Sequence, residues 1–421
     1  MREPHVAVVD VEPNPTADQL EAVHVARPAE SPELPDAVVE AADPDHPIAP
    51  QPDLVQAPQP LGRGNDPLPE SIRAHVAAAG QRPPMSNQSL RATDFLALPK
   101  AELHLHTEAA IRPATAAEFA DRSGLPLPPI GQRHRTWPTF STAYERCRAL
   151  IGSLDDLRRV VREVFEHAPA QGIVWTELHV VPHLYAGRLG PVEGLVEAAV
   201  DGIELARRAG GGEGGLVLGV GRDASACVAD EVTDLALTWA GRGVVAMGLT
   251  GKEDGFPSSR FAAAYRRARD SGLGVVPHSG ESGDASCVAE TLRELQPHRI
   301  SHGVRAAEDD AVLAELAQQQ ICLDVALTGN LQLCVVPSAR DHPLPELIRR
   351  GIPVSLGSDA PYLYGVDLLD EYALAHQAFG LPASAMASIA ADSLRHARSD
   401  VDLLHRHGAA IDRWMNATSI D

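Results

Sequence analysis

Apolar residues recur along this chain in short runs, mostly of four to eight, set between stretches of roughly helical period. The runs at 101–106, 173–181, 216–220, 244–249, 273–278, 299–302, 321–325 and 352–356 read as strands. The segments 191–208, 260–271, 309–319 and 343–350 carry the 3.6-residue period of amphipathic helices. Eight strand-then-helix units predict an α/β chain folded as a parallel (β/α)8 TIM barrel. Runs buried on both faces suit such a sheet.

Residues 1–60 do not share this pattern. They hold 12 prolines and 12 Asp/Glu against two Arg, with no sustained period. Proline removes backbone donors and the acids repel one another, so a disordered acidic tail is expected over 1–88. A short helix near 69–79 is possible within it. The barrel is expected over 89–421. Formal net charge is −21, against the clustered Lys/Arg that a nucleic-acid surface needs. No apolar run is long enough for a membrane span, and the N-terminus lacks the charged-then-apolar order of a secretory signal. The five cysteines are odd in number and form no CxxC pair. Free thiols in a reducing cytoplasm are the expectation. Oligomeric state is not legible.

The chemistry sits at the strand ends. His104-Leu105-His106 closes the first strand, and residues two apart on a strand face the same way. His278-Ser279-Gly280-Glu281 follows the fifth strand, Ser301-His302-Gly303 the sixth and Gly357-Ser358-Asp359 the eighth. Active sites of such barrels lie at the C-terminal ends of the strands. Three histidines and an aspartate from three strand ends, His104, His106, His278 and Asp359, form a ligand set for one divalent metal, with zinc best suited. Asp359 can also act as a base. Glu281 is placed to shuttle protons; alone it would read as a solvated loop acid. His302 either polarises the attacking water, adds a ligand or is structural. Glu177, at the end of the second strand, faces the interior by alternation, and His179 competes with it for a face. Arg222 reads as a structural salt-bridge partner near the barrel mouth, and His298, His342, His376 and His396 as ordinary histidines.

With these motifs in place the chain resembles the adenosine deaminase family. Pro99–His106, Val276–Glu281, Arg299–Gly303 and Ser358-Asp359 with Tyr364–Leu368 look like its opening strand, His-Ala-Gly-Glu, Arg-Ile-Gly-His-Gly and final-strand motifs. The likeness runs from about Leu98 to about Ala397. It implies one zinc per chain on His104, His106, His278 and Asp359. Glu281 would protonate the ring nitrogen beside the carbon attacked, and His302 would orient the hydroxide. Gly251 would offer its backbone NH to the ring, with His106 and Glu108 also against the small-molecule substrate. Three positions depart from the family. Its second aspartate after the eighth strand is Ala360 here. Its Leu-Asp-Gly is Thr107-Glu108-Ala109, and its Cys-Pro-x-Ser-Asn is Ala326–Asn330. The function implied is zinc-dependent deamination of a purine nucleoside or related aminated heterocycle. Ala360 leaves open a non-purine amidine, amide or specialised metabolite, and an inactive binding homologue is the third reading. The combined signature of cytidine deaminases, His-x-Glu with Pro-Cys-x-x-Cys, is absent.

Overall fold

A computed structural model describes residues 90–418; the tail expected over 1–88 and its short helix lie outside the described residues, as do 419–421. The strands are β1 Lys100–His106, β2 Ile173–Val180, β3 Gly214–Gly221, β4 Val244–Thr250, β5 Gly274–Val275, β6 His278–Ser279, β7 Arg299–His302, β8 Cys322–Val325 and β9 Val354–Leu356. All pair in parallel, in the order β1 to β5 and β6 to β9. Backbone bonds from His106 N to Asp359 O and from Asp359 N to His104 O, each 2.9 Å, join the end of the last strand to the first. The result is a closed (β/α)8 TIM barrel.

The fifth strand, expected to run unbroken over 273–278, is split into β5 and β6. Pro277 has no NH to continue a ladder. The break is bridged on both sides, Val276 N donating to Met247 O and Ser301 N to Pro277 O, both at 2.9 Å. The expected helices appear as Val192–Arg208, Ala262–Asp270 with a preceding turn, Asp310–Gln319 and Leu344–Arg349. Each packs an apolar stripe on the barrel.

Between β1 and β2 the chain makes three helices where a simple unit needs one: Pro113–Ser123, Trp137–Leu150 and Leu154–His167. In the last, Ser153 caps the N-terminus by accepting from Asp156 N, and Leu157, Val160, Val161 and Phe165 form the buried stripe. The middle helix bears on function, as shown below.

The barrel interior is polar below the site. Arg299, fully buried, reaches Glu177 Oε2 at 2.7 Å and Asp324 Oδ2 at 2.8 Å. Ser355 Oγ donates to Asp324 Oδ1 at 2.6 Å. Glu177 and His179 do not divide two faces: two apart on β2, both point inward.

Candidate active site

The ends of β1, β6, β7 and β9 bring the predicted residues to one place. His278 Nε2 lies 3.1 Å from His104 Nε2 and 3.0 Å from His106 Nε2. Asp359 Oδ1 lies 3.6 and 3.4 Å from the same two nitrogens. Ligands about 2.0–2.2 Å from a tetrahedral zinc stand roughly 3.3 Å apart, so the donor set fits one such ion. His104 Nδ1 donates to the carbonyl of Asp324 at 3.1 Å. A carbonyl can only accept, so His104 Nε2 keeps its lone pair toward the cluster. Burial holds every imidazole neutral: His104 is pushed down to about 4, His106 to about 3, and His278 and His302 well below the usual histidine range. Neutral nitrogens are what a metal requires. His302 could join a second combination with His104 and Asp359.

Glu281 and His302 stand beside this set, Oε1 to Nε2 at 3.5 Å. Burial, reinforced by the Asp359 charge, raises Glu281 well above the usual carboxylate range. A carboxyl kept protonated can donate. Burial also raises Asp359 to about 7, opposed by a bond from Tyr364 Oη to its Oδ2 at 3.3 Å.

The turns that present these groups are strained. His302 and Asp359 adopt φ of +66° and +57°, which L side chains rarely occupy. The strain is held in place locally. Asp359 is clamped through both backbone groups to β1. His302 Nδ1 meets Asn330 Nδ2 at 3.3 Å, and Asn330 Oδ1 meets His342 Nε2 at 3.2 Å. His342 is therefore part of a relay behind His302, not an ordinary histidine; nothing in its own sequence surroundings signals this.

A cavity of about 190 Å³ opens over His106, His278, Glu281, His302 and Asp359. One wall is the helix Trp137–Leu150, which contributes Trp137, Phe140, Ser141, Tyr144, Glu145 and Arg148. Their spacing is i, i+3, i+4, i+7, i+8, i+11, one helical face. That aromatic stripe was the available signal for the wall. Gly251 lies in the opposite rim with φ +101°. An added Cβ would find room there, its nearest neighbour 3.6 Å away, so the glycine answers to backbone conformation.

Two other expected contacts are placed differently. Glu108 is buried, its carboxylate accepting from Tyr144 Oη at 2.5 Å and Tyr185 Oη at 2.7 Å. It meets the cavity through Tyr144. Arg222 has no carboxylate partner among the described ion pairs. It donates to His278 O at 2.8 Å, Phe256 O at 2.9 Å and Ser258 Oγ at 3.2 Å, buttressing the metal-site strand through its backbone. Ala360 is fully buried within the apolar core.

A parallel barrel whose strand ends gather three histidines, an aspartate and a buried glutamate has the donor types that could hold a metal ion for hydrolysis. The adenosine deaminase family profile matches residues 99–407. A Streptomyces virginiae protein assigned as an adenosine/adenine deaminase is 34% identical over 334 residues, 77% of this chain and 98% of that one. The adenosine deaminase of Salmonella typhimurium strain LT2 is 34% identical over 298 residues, 68% of this chain and 89% of its own. The crystal structure of an adenine deaminase from Arthrobacter aurescens superposes with a TM-score of 0.69 at 28% identity, covering 76% of this chain and 99% of that one. The chain belongs to the adenosine deaminase family, as a divergent member, and is a hydrolytic deaminase acting on C–N bonds. Among the described residues no helix is long and apolar enough to cross a membrane.

Proposed function

We propose that this protein is a zinc-dependent deaminase of a purine nucleoside or related aminated heterocycle, working in the cytoplasm with one zinc per chain. The observation that carries the reading is the placement of Glu281 and His302 beside the His104/His106/His278/Asp359 set, at the floor of an aromatic-walled cavity. Zinc bound there would supply Lewis acidity that brings the pKa of water to about 7. Glu281 gives its proton to the ring nitrogen next to the attacked carbon, and His302 orients the incoming oxygen. Gly251 NH faces the ring, and Trp137, Phe140 and Tyr144 pack on it. Water's oxygen replaces the amino group; one of its protons joins that group, which leaves as ammonia, and the other reloads Glu281, whose own proton stays on the ring nitrogen.

The second reading, a non-purine amidine or amide, rests on two observations. Ala360 offers no carboxylate, and Glu108 is already engaged by two tyrosines. A site deprived of a hydrogen-bonding group can lose several orders of magnitude on the substrate that needs it. Adenosine itself is therefore expected to be a weak substrate.

The test is ammonia release by zinc-loaded protein across aminopurine nucleosides, nucleotides, free bases and amidines. Turnover confined to aminopurines supports the first reading, and turnover confined to amidines or amides the second. Glu281→Gln should keep its zinc and lose about 10²–10⁴-fold in kcat on the best substrate. A near-normal rate would remove Glu281 from the acid role.

A further inference from the structure

Glu253 lies just past β4, two residues after Gly251, and is 4% exposed. Its Oε1 accepts from the backbone NH of Glu281, Ser282 and Gly283, each at 2.9 Å. Its Oε2 accepts from Gly280 N at 2.8 Å and from Ser279 Oγ at 3.2 Å. In return Glu253 N donates to Ser282 Oγ at 3.0 Å. Four consecutive amides thus converge on one carboxylate, the concave arrangement by which backbone binds anions. Here the anion is built into the chain, from 26 to 30 residues away.

The loop is shaped for this grip. Gly280 has φ +70°, and a Cβ there would lie 2.6 Å from Val288 Cγ2. A Cβ on Gly283 would lie 2.9 Å from Glu253 Oε2 itself. The loop is also the one that carries Glu281. The two residues before Glu253, Gly251 and Lys252, line the cavity. One short segment therefore forms part of the substrate's wall and holds the loop of the proton donor.

We propose that Glu253 is a positioning residue: it locks the loop 280–283 so that the Glu281 carboxyl stays beside His302, and ties that position to the Gly251–Lys252 wall. The proposal rests on the reading of Glu281 as the acid. Glu253→Gln preserves shape but replaces one acceptor oxygen by an NH2 that faces amide donors. Small misplacements of reacting groups cost on the order of 10–100-fold.

The experiment compares wild type, Glu253→Gln, Glu281→Gln and the double variant, all zinc-loaded, on whichever of adenosine, adenine or AMP turns over fastest. For Glu253→Gln we expect kcat to fall at least about 10-fold with KM within about threefold, zinc content unchanged, and faster amide exchange in the peptide covering 279–284. The double variant should be no slower than Glu281→Gln, because Glu253 acts through it. Additive losses, a kcat loss that tracks lost zinc, or an unchanged kcat would each overturn the proposal while leaving Glu281 as the acid. A near-normal kcat for Glu281→Gln would overturn both. If Glu253→Gln does not fold, Ser282→Ala removes one bond of the set; it should lower kcat in the same direction with zinc retained, and an unchanged kcat would count against the proposal.

Discussion

Two clusters of buried polar groups share the interior of this barrel, and they are built on opposite principles. The lower one is closed. Arg299 meets two carboxylates at 2.7 and 2.8 Å, and Ser355 and the backbone NH of Arg398 take up further oxygens. The carboxylates hold Arg299 above the usual arginine range, against the cost of its burial. The upper cluster is open. The His278 Nε2 lies about 3 Å from those of His104 and His106 with a carboxylate beside them, and all three rings are held neutral. Nitrogen lone pairs cannot satisfy each other. The lower set is complete with the chain's own charges, whereas the upper set could hold an external cation. One link between the two is Asp324, whose backbone accepts from His104 while its side chain holds Arg299.

The contrast predicts different consequences for deletions one layer apart. His278→Ala should cost the most in function, abolishing turnover and stoichiometric zinc, while it unfolds near the temperature of metal-free wild type. Zinc content by mass spectrometry beside a melting curve would decide it, and a variant that kept a full equivalent of zinc would contradict the ligand assignment. Arg299→Ala should do the reverse. It leaves two carboxylates buried without their cation, and breaking a buried pair typically costs about 3–5 kcal/mol. Denaturant unfolding would measure this, and a loss below about 1 kcal/mol would mean that the network contributes little to stability. A smaller effect is expected from Tyr364→Phe, which deletes only the hydroxyl on Asp359 Oδ2. Partners behind metal ligands are worth about 10–100-fold in metal affinity. Competition with a chelator should show that range; an unchanged affinity would mean that the Asp359 clamp to β1 suffices by itself.

The strand ends were legible in sequence because their geometry is local. His104 and His106 share a face through the two-residue repeat of a strand, and burial of both sheet faces turns each strand into a readable apolar run. The split of the fifth strand at Pro277 was missed, because the run of apolar residues around it suggested continuity. The Trp137–Arg148 face had its helical spacing in plain view, yet spacing alone does not say whether a stripe meets core or cavity.

What the sequence determined by itself was the barrel, the position of its chemistry and the donor types, since these follow from short-range periodicity and side-chain identity. What only the tertiary structure decided was which distant groups hold them. Asn330 and His342 behind His302, Arg222 beneath His278 and Glu253 around the Glu281 loop make contacts that no local spacing encodes. A hydrogen bond between residues 26 or 56 apart depends on where closure of the whole sheet brings two strand ends. That arrangement is a property of the closed barrel, and no segment of the chain carries it alone.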